Sequence, residues 1–368
     1  MYKNFFRKAV LMRSLVGLTV ISMTSCEKFP GSFPGHGGST SNPLNVKQVN
    51  LVANNTSYNA KRVDPLLQNA WGMSFGITGL PWISSPNSGI STIYDREGAF
   101  IFGPIVIPSP AGPTGGTPTG QVANFSSPDF ILPNGVAASF IFANLDGIIS
   151  AWNPQTGKNA IPIINNVGQA VYTGLALAID KGGASFIYAS NGLKGTIDVF
   201  NSTFQPVSDR KFLDPSLPAG YLPFSVHAVG DFIFVTYTKV GADGRALREV
   251  GNGVVNVFTK AGVFVKRFAT GDKLNAPWGV AAAPASFFSG NNTQSAILIG
   301  NFRDGKINVY SPEGKYISQL NVNNQVLTID GLWEITFPPV ASTIDQNRLY
   351  FTAGPADERD GLFGYLIK

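Results

Sequence analysis

Few side chains in this sequence are suited to chemistry, and their scarcity narrows the choices. There is one cysteine, Cys26, and there are two histidines, His36 and His227. A thiolate metal cluster and an internal disulfide are therefore excluded within one chain, and so is a multi-histidine zinc or copper site. A Ser-His-Asp hydrolase would rest on His227 alone. That histidine sits in an alternating apolar stretch, Ser225-Val-His-Ala-Val, where an imidazole hydrogen-bonded near the central channel, rather than a catalytic one, is the expectation. The run Gly112-Pro-Thr-Gly-Gly-Thr-Pro lacks the lysine of a phosphate loop.

Two polar sets remain. Asn144, Asp146, Asn191, Asp304, Asp330 and Asp357 offer oxygen donors only, which suit calcium, although no Asp-x-Asp-x-Asp-Gly run frames them and no cofactor is assigned. A wider set adds Asn69, Asn87, Asn301 and Arg303 to these residues, together with Trp71, Trp278 and Trp333. Gathered on one face, it would form an amide-rich rim with indole platforms for a sugar, a peptide or another small polar ligand. Taken singly, each Asn or Asp can instead hold its own turn, and each Trp can pack between sheets.

What would gather them is a repeated phrase. Asn275-Ala-Pro-Trp-Gly279-Val-Ala-Ala is an apolar inner strand, Ala296-Ile-Leu-Ile-Gly-Asn301 a second buried strand, and Lys306-Ile-Asn-Val-Tyr310 an alternating third. Six openings recur at Gly72, Gly120, Gly174, Ser225, Gly279 and Glu334, roughly 48 to 55 residues apart, the period of propeller blades. Third strands keep the same rhythm, each with an aromatic: Tyr94, Trp152, Phe200, Phe258, Tyr310 and Tyr365. Glycine at an opening lets inner strands crowd a central axis, and the aromatic fills the space between stacked sheets. The expected fold is all-β: a six-bladed β-propeller of four-stranded antiparallel blades over residues 47–368. Because the chain ends in the third strand of blade six, Lys47–Ala53 is expected to supply that blade's outer strand and close the ring. Between blades, Pro104–Thr119 reads as a loop with Ile105-Val-Ile its only strand signal, and Tyr237–Asn252 reads as a charged insertion in blade four.

The N-terminus reads differently. Residues 1–25 join a basic start (Lys3, Arg7, Lys8, Arg13) to an apolar run too short to span a bilayer, and they end in Met23-Thr-Ser-Cys26. This ending resembles a bacterial lipobox, which implies cleavage and lipidation at Cys26. Residues 26–46, rich in Gly, Pro and Ser, read as a flexible tether in which His36 is solvated. The whole chain has 27 basic and 22 acidic residues; four of the basic ones lie in the leader, which leaves 23 against 22. So even a balance carries no footprint for nucleic acid.

The phrases Asn69-Ala-Trp-Gly-Met-Ser-Phe, Leu217-Pro-Ala-Gly-Tyr-Leu-Pro-Phe, Ile329-Asp-Gly-Leu-Trp and Phe351-Thr-Ala-Gly-Pro-Ala-Asp-Glu resemble an uncharacterised bacterial family of exported propellers. Some members of that family carry PEP-CTERM sorting tails, and NHL-repeat propellers are similar at a greater distance. The resemblance implies the fold and no activity. Six-bladed lactonases of the gluconolactonase type hold a central metal with Glu and Asn; here Glu334 is the single acidic residue on an inner-strand opening. The functional expectation is a lipid-anchored envelope protein, in the outer membrane because Glu27 follows the cysteine. It would bind an envelope protein, a glycan or a small polar ligand on its loop face. The alternative is a metal-dependent hydrolase or lactonase working at the channel mouth.

Overall fold

The structure, a computed structural model, describes residues 44–124, 128–288, 295–340 and 342–368. The leader, Cys26 and most of the tether, including His36, lie outside the described residues.

Six small antiparallel sheets follow one another along the chain. Blade one is Met73–Phe75, Pro81–Ser85, Ile90–Tyr94 and Phe100–Val106. Blade two is Pro118–Ala123, Phe140–Asn144, Ile148–Trp152 and Ile161–Asn165. Blade three has Tyr172–Ile179, Ser185–Asn191 and Thr196–Asn201. Blade four is Tyr221–Val229, Phe232–Lys239, Val254–Thr259 and Phe264–Thr270. Blade five is Pro277–Ala283, Ala296–Asn301, Ile307–Tyr310 and Tyr316–Val322. Blade six runs Leu332–Thr336, Leu349–Ala353 and Leu362–Ile367, and its outer strand is Lys47–Ala53.

That last pairing is the expected closure. Lys47 faces Ile367 and Ala53 faces Leu362 in an antiparallel ladder, so the start of the domain is hydrogen-bonded to its end. Closure removes the two free edges that a linear array would leave to aggregate. Just before it, Leu44–Asn45 runs parallel to the outer strand of blade five.

Crowding at the axis follows from the glycines. A Cβ on Gly72 would lie 2.3 Å from the Thr119 carbonyl oxygen of blade two, and one on Gly120 would lie 2.2 Å from the Leu175 nitrogen of blade three. No side chain fits at such a separation. In blades two to six the inner strand is also bulged at its opening phrase. A bulge bends the strand and re-aims the side chains before it. All six third-strand aromatics are buried between sheets.

Two regions differ from the expectation. Blade three stops at three strands: beyond Asn201 the chain makes one bridge, Phe200 to Pro206, with a ladder bond on each side of it, Asn201 N–H to the Gln205 carbonyl and Val207 N–H to the Val199 carbonyl. The Pro104–Thr119 stretch is more ordered than a loop, because the outer strand of blade one reaches back to Phe100 and the remainder folds into a hairpin, Pro108–Ser109 against Gly112–Gly115. Its Pro and Gly content keeps that hairpin outside the blades.

Candidate functional site

At the loop face, the opening phrases of several blades aim their aromatics at one another. Trp333 of blade six is stacked on one side by Trp71 of blade one, 3.6 Å between centroids and 13° from parallel. Phe302 of blade five stacks on its other side at 3.8 Å and 17°. Phe224 of blade four and Trp278 of blade five approach Trp333 at 5.8 Å and 6.0 Å. Leu145 of blade two packs on the cluster, and the Trp278 Nε1 donates to the Thr173 carbonyl of blade three at 3.0 Å. Residues from all six blades meet only on the axis, so this cluster seals the central channel. Trp71, Trp278 and Trp333 are each at most 4% exposed, as members of the seal rather than open platforms.

The amides and carboxylates around the seal mostly hold backbone. Asn69, left-handed at φ 52°, accepts the Trp333 Nε1–H at 2.8 Å. Asn191 accepts from the amides of Val171, Leu193 and Lys194 and donates to Asp198. Asn301 donates to the Lys273 carbonyl and to Asp304, which also caps Lys306 N–H. Asn144 donates to the Pro108 carbonyl, and Asp146 accepts from Ile148 N–H while burial pushes its carboxyl above the usual range. Arg303 donates to the Ala246 carbonyl at 2.6 Å and lies over the Phe302 ring.

Asn87, Asp330 and Asp357 converge on one strained turn. Ala356, Asp357 and Glu358 are three successive left-handed residues, φ 55°, 57° and 66°. Each such residue costs about 1–2 kcal/mol. The turn is held from other elements: Asp330 accepts from Ala356 N–H, Arg248 pairs with Asp357, and Asn87 donates to the Glu358 carbonyl at 2.6 Å. The crevice left between Arg248, Arg303, Asp330 and this turn is ≈ 10 Å³, about the room of one water.

The far end of the channel is open. There the later halves of the inner strands enclose a cavity of ≈ 350 Å³, walled by apolar side chains such as Met73, Phe75, Leu177, Val280 and Phe337. Among the described residues, His227 and Glu334 are the only titratable side chains lining it. They face each other across the channel from blades four and six, Nδ1 to Oε1 3.8 Å. The tautomer follows from the partners: Nε2 lies 2.8 Å from the Trp278 carbonyl oxygen, which only accepts, so Nε2 carries the proton and Nδ1 presents a lone pair. Glu334 Oε1 accepts from Ile335 N–H. Glu334 Oε2 and His227 Nδ1 have no hydrogen-bond partner, yet neither is sealed in protein, so both are open to the cavity. Burial drives both groups toward neutrality: the imidazole is pushed down to about 4 and the Glu334 carboxyl well above the usual carboxylate range.

The order of atoms here is that of a serine-hydrolase triad, because Ser225 Oγ is 2.9 Å from His227 Nε2. Two facts oppose that chemistry. Nε2 is committed to the Trp278 carbonyl and cannot accept a proton from Ser225, and Ser225 is fully buried and outside the cavity lining. Nor does a metal centre emerge: among the described residues no three His, Cys, Asp or Glu side chains are grouped as a metal would need. Of the six oxygen-donor residues considered for calcium, Asn144 and Asp146 share one turn and Asp330 and Asp357 meet at another, while Asn191 and Asp304 belong to two further loops.

His227 and Glu334 stand outside the rim set expected from sequence. The signal for them was present, as the one histidine of the repeat region and the one acid on an inner-strand opening. Their juxtaposition was not legible, since 107 positions and two blade boundaries separate them, roughly the two-blade spacing of such arrays.

No protein-family model matches the chain. Two uncharacterised proteins of Acanthamoeba polyphaga mimivirus are similar to it, each 28% identical over 87% of this chain, covering 80% and 86% of their own lengths. Among solved structures, a structural-genomics protein of unknown function from Bacteroides thetaiotaomicron superposes with a TM-score of 0.52 at 10% identity, covering 82% of this chain and 70% of that one. This last likeness is one of fold alone. The viral relatives carry no named activity, and they do not bear out the bacterial exported family or its PEP-CTERM tails. What stands is the six-bladed propeller.

Proposed function

We propose that the protein is a binding propeller whose ligand site is the open end of the central channel. One observation carries this reading: a cavity of ≈ 350 Å³, lined mostly by apolar residues with Ser74, Gln121 and Thr336 among them, opens on two polar atoms, Glu334 Oε2 and His227 Nδ1, that have no hydrogen-bond partner among the described residues. Apolar walls with a few convergent polar groups are the usual form of a small-ligand site. The loop face, where sequence reasoning locates the ligand, offers ≈ 10 Å³ and residues already engaged with one another. A lateral cleft of ≈ 350 Å³ beside Arg62 and Phe100 is less suited, because its Tyr94 hydroxyl and Asp64 carboxylate are bonded together at 2.7 Å. The test is a fragment screen by protein-observed NMR on the full chain. Shifts clustered at Val226, His227, Val280 and Glu334 support the site, and shifts confined to the Trp333 end overturn it.

The same reading takes the chain to a bacterial envelope through a lipid on Cys26. The support is the basic start, the short apolar run and the Met23-Thr-Ser-Cys26 ending. Two acyl chains anchor stably, whereas one gives marginal binding. Cys26→Ser should move the protein from the membrane fraction to the soluble one; an unchanged distribution rejects the anchor.

A further inference from the structure

We propose that the channel cavity selects a primary amine carried on an apolar stem, its ammonium group set between the Glu334 carboxylate and His227 Nδ1. This rests on the cavity being the ligand site and names the class of ligand it takes. Nδ1 and Oε1 are 3.8 Å apart, too far for a hydrogen bond between them. Oε1 already accepts from Ile335 N–H, but a carboxylate oxygen takes more than one hydrogen bond, so a single donor atom at about 2.8 Å from Nδ1 and from Oε1 fits that gap and leaves Oε2 for a second N–H of the same group. Both unsatisfied atoms act as acceptors once the carboxyl is ionised, because Nε2–H is fixed on the Trp278 carbonyl. A group with several donors and a positive charge matches them; an alcohol brings one donor and no charge. An anion meets no Lys or Arg anywhere in the lining, so carboxylates and phosphates are rejected. The aliphatic and aromatic walls take the stem.

Proton bookkeeping makes the inference testable. Burial raises the Glu334 carboxyl, so below its raised value the free pair holds one dissociable proton, whichever of the two atoms bears it. An arriving ammonium supplies the positive charge in its place, so one proton leaves for each amine bound. No other titratable side chain lines the cavity, from any of the six inner strands. Affinity for the amine should then rise with pH, by up to about tenfold per unit while the free protein keeps that proton.

The experiment is calorimetric titration of the full chain with straight-chain amines of four to eight carbons, the matched alcohols and the matched carboxylates. Titrations at pH 7 and 8.5, each in two buffers of different ionisation enthalpy, count protons. The expected result is amine binding at least about tenfold tighter than the alcohol of equal length, with one proton released. Glu334→Gln should abolish both the preference and the proton release while alcohol binding persists. Amines binding no better than the alcohols of equal length overturn the amine class and leave the cavity standing as a site. No binding from any of the three series overturns both readings. Should the variant not fold, the amine-against-alcohol comparison on the wild-type chain decides by itself.

Discussion

The two ends of the central channel are made by the same six inner strands and have opposite characters. At the loop end Trp71, Phe224, Trp278 and Trp333 of four opening phrases crowd together with Phe302, and Trp71, Trp333 and Phe302 reach the axis and stack. At the far end the strands carry Ser74, Ala123, Leu177 and Ala228, which are too short to meet across the ring, so space remains. Burying the rings contributes stability; holding His227 and Glu334 neutral in a narrow channel costs it. The difference teaches that one propeller axis can be divided into a packed half that holds the blades together and an open half free to bind.

The largest effect is expected at the sealed end. Trp333→Ala removes a ring packed on both faces and should cost about 3–5 kcal/mol in denaturant unfolding, while fragment binding at the cavity survives. A loss below about 1 kcal/mol would mean the seal is not what holds the ring. Next comes the boundary between the halves: Gly120→Val drives a Cβ to 2.2 Å from the Leu175 nitrogen, and a loss of about 1–3 kcal/mol is expected from the same unfolding curves.

The open end should announce itself through pH. His227 is pushed down to about 4, so as pH falls below its ordinary 6.5 the unfolded chain takes up a proton that the folded chain refuses. Stability is therefore lost on acidification through that window, by an amount on the order of 2 kcal/mol. Glu334 acts in the other direction: its raised value makes the folded chain keep a proton, and that contribution is lost as pH rises toward the folded value. His227→Gln should flatten the acid limb of a stability–pH curve, and Glu334→Gln the alkaline limb. If neither variant changes the curve, the two ends do not differ in the way described. The smallest effect belongs to the rim. Asn87→Ala deletes one exposed hydrogen bond to the Glu358 carbonyl and should cost less than about 1 kcal/mol. A larger loss would make the strained Ala356–Glu358 turn part of the seal.

Sequence by itself determined the blades. Openings near every fiftieth residue, an aromatic in each third strand and an orphan strand at Lys47–Ala53 leave few alternatives to a closed ring of six, because a small sheet must stack on its neighbours and an open array exposes its ends. Blade three was harder to read, since its fourth strand is reduced to a single bridge, Phe200 to Pro206, which composition does not signal. The tertiary structure alone decided which end of the channel is filled. Trp71, Trp278 and Trp333 look like platforms in sequence because an indole beside a glycine is equally suited to an open face or a packed core. Only convergence on the axis shows that they stack on each other. The same convergence sets His227 opposite Glu334, two residues that no local pattern relates, because contacts across a ring depend on where six separate sheets come to rest.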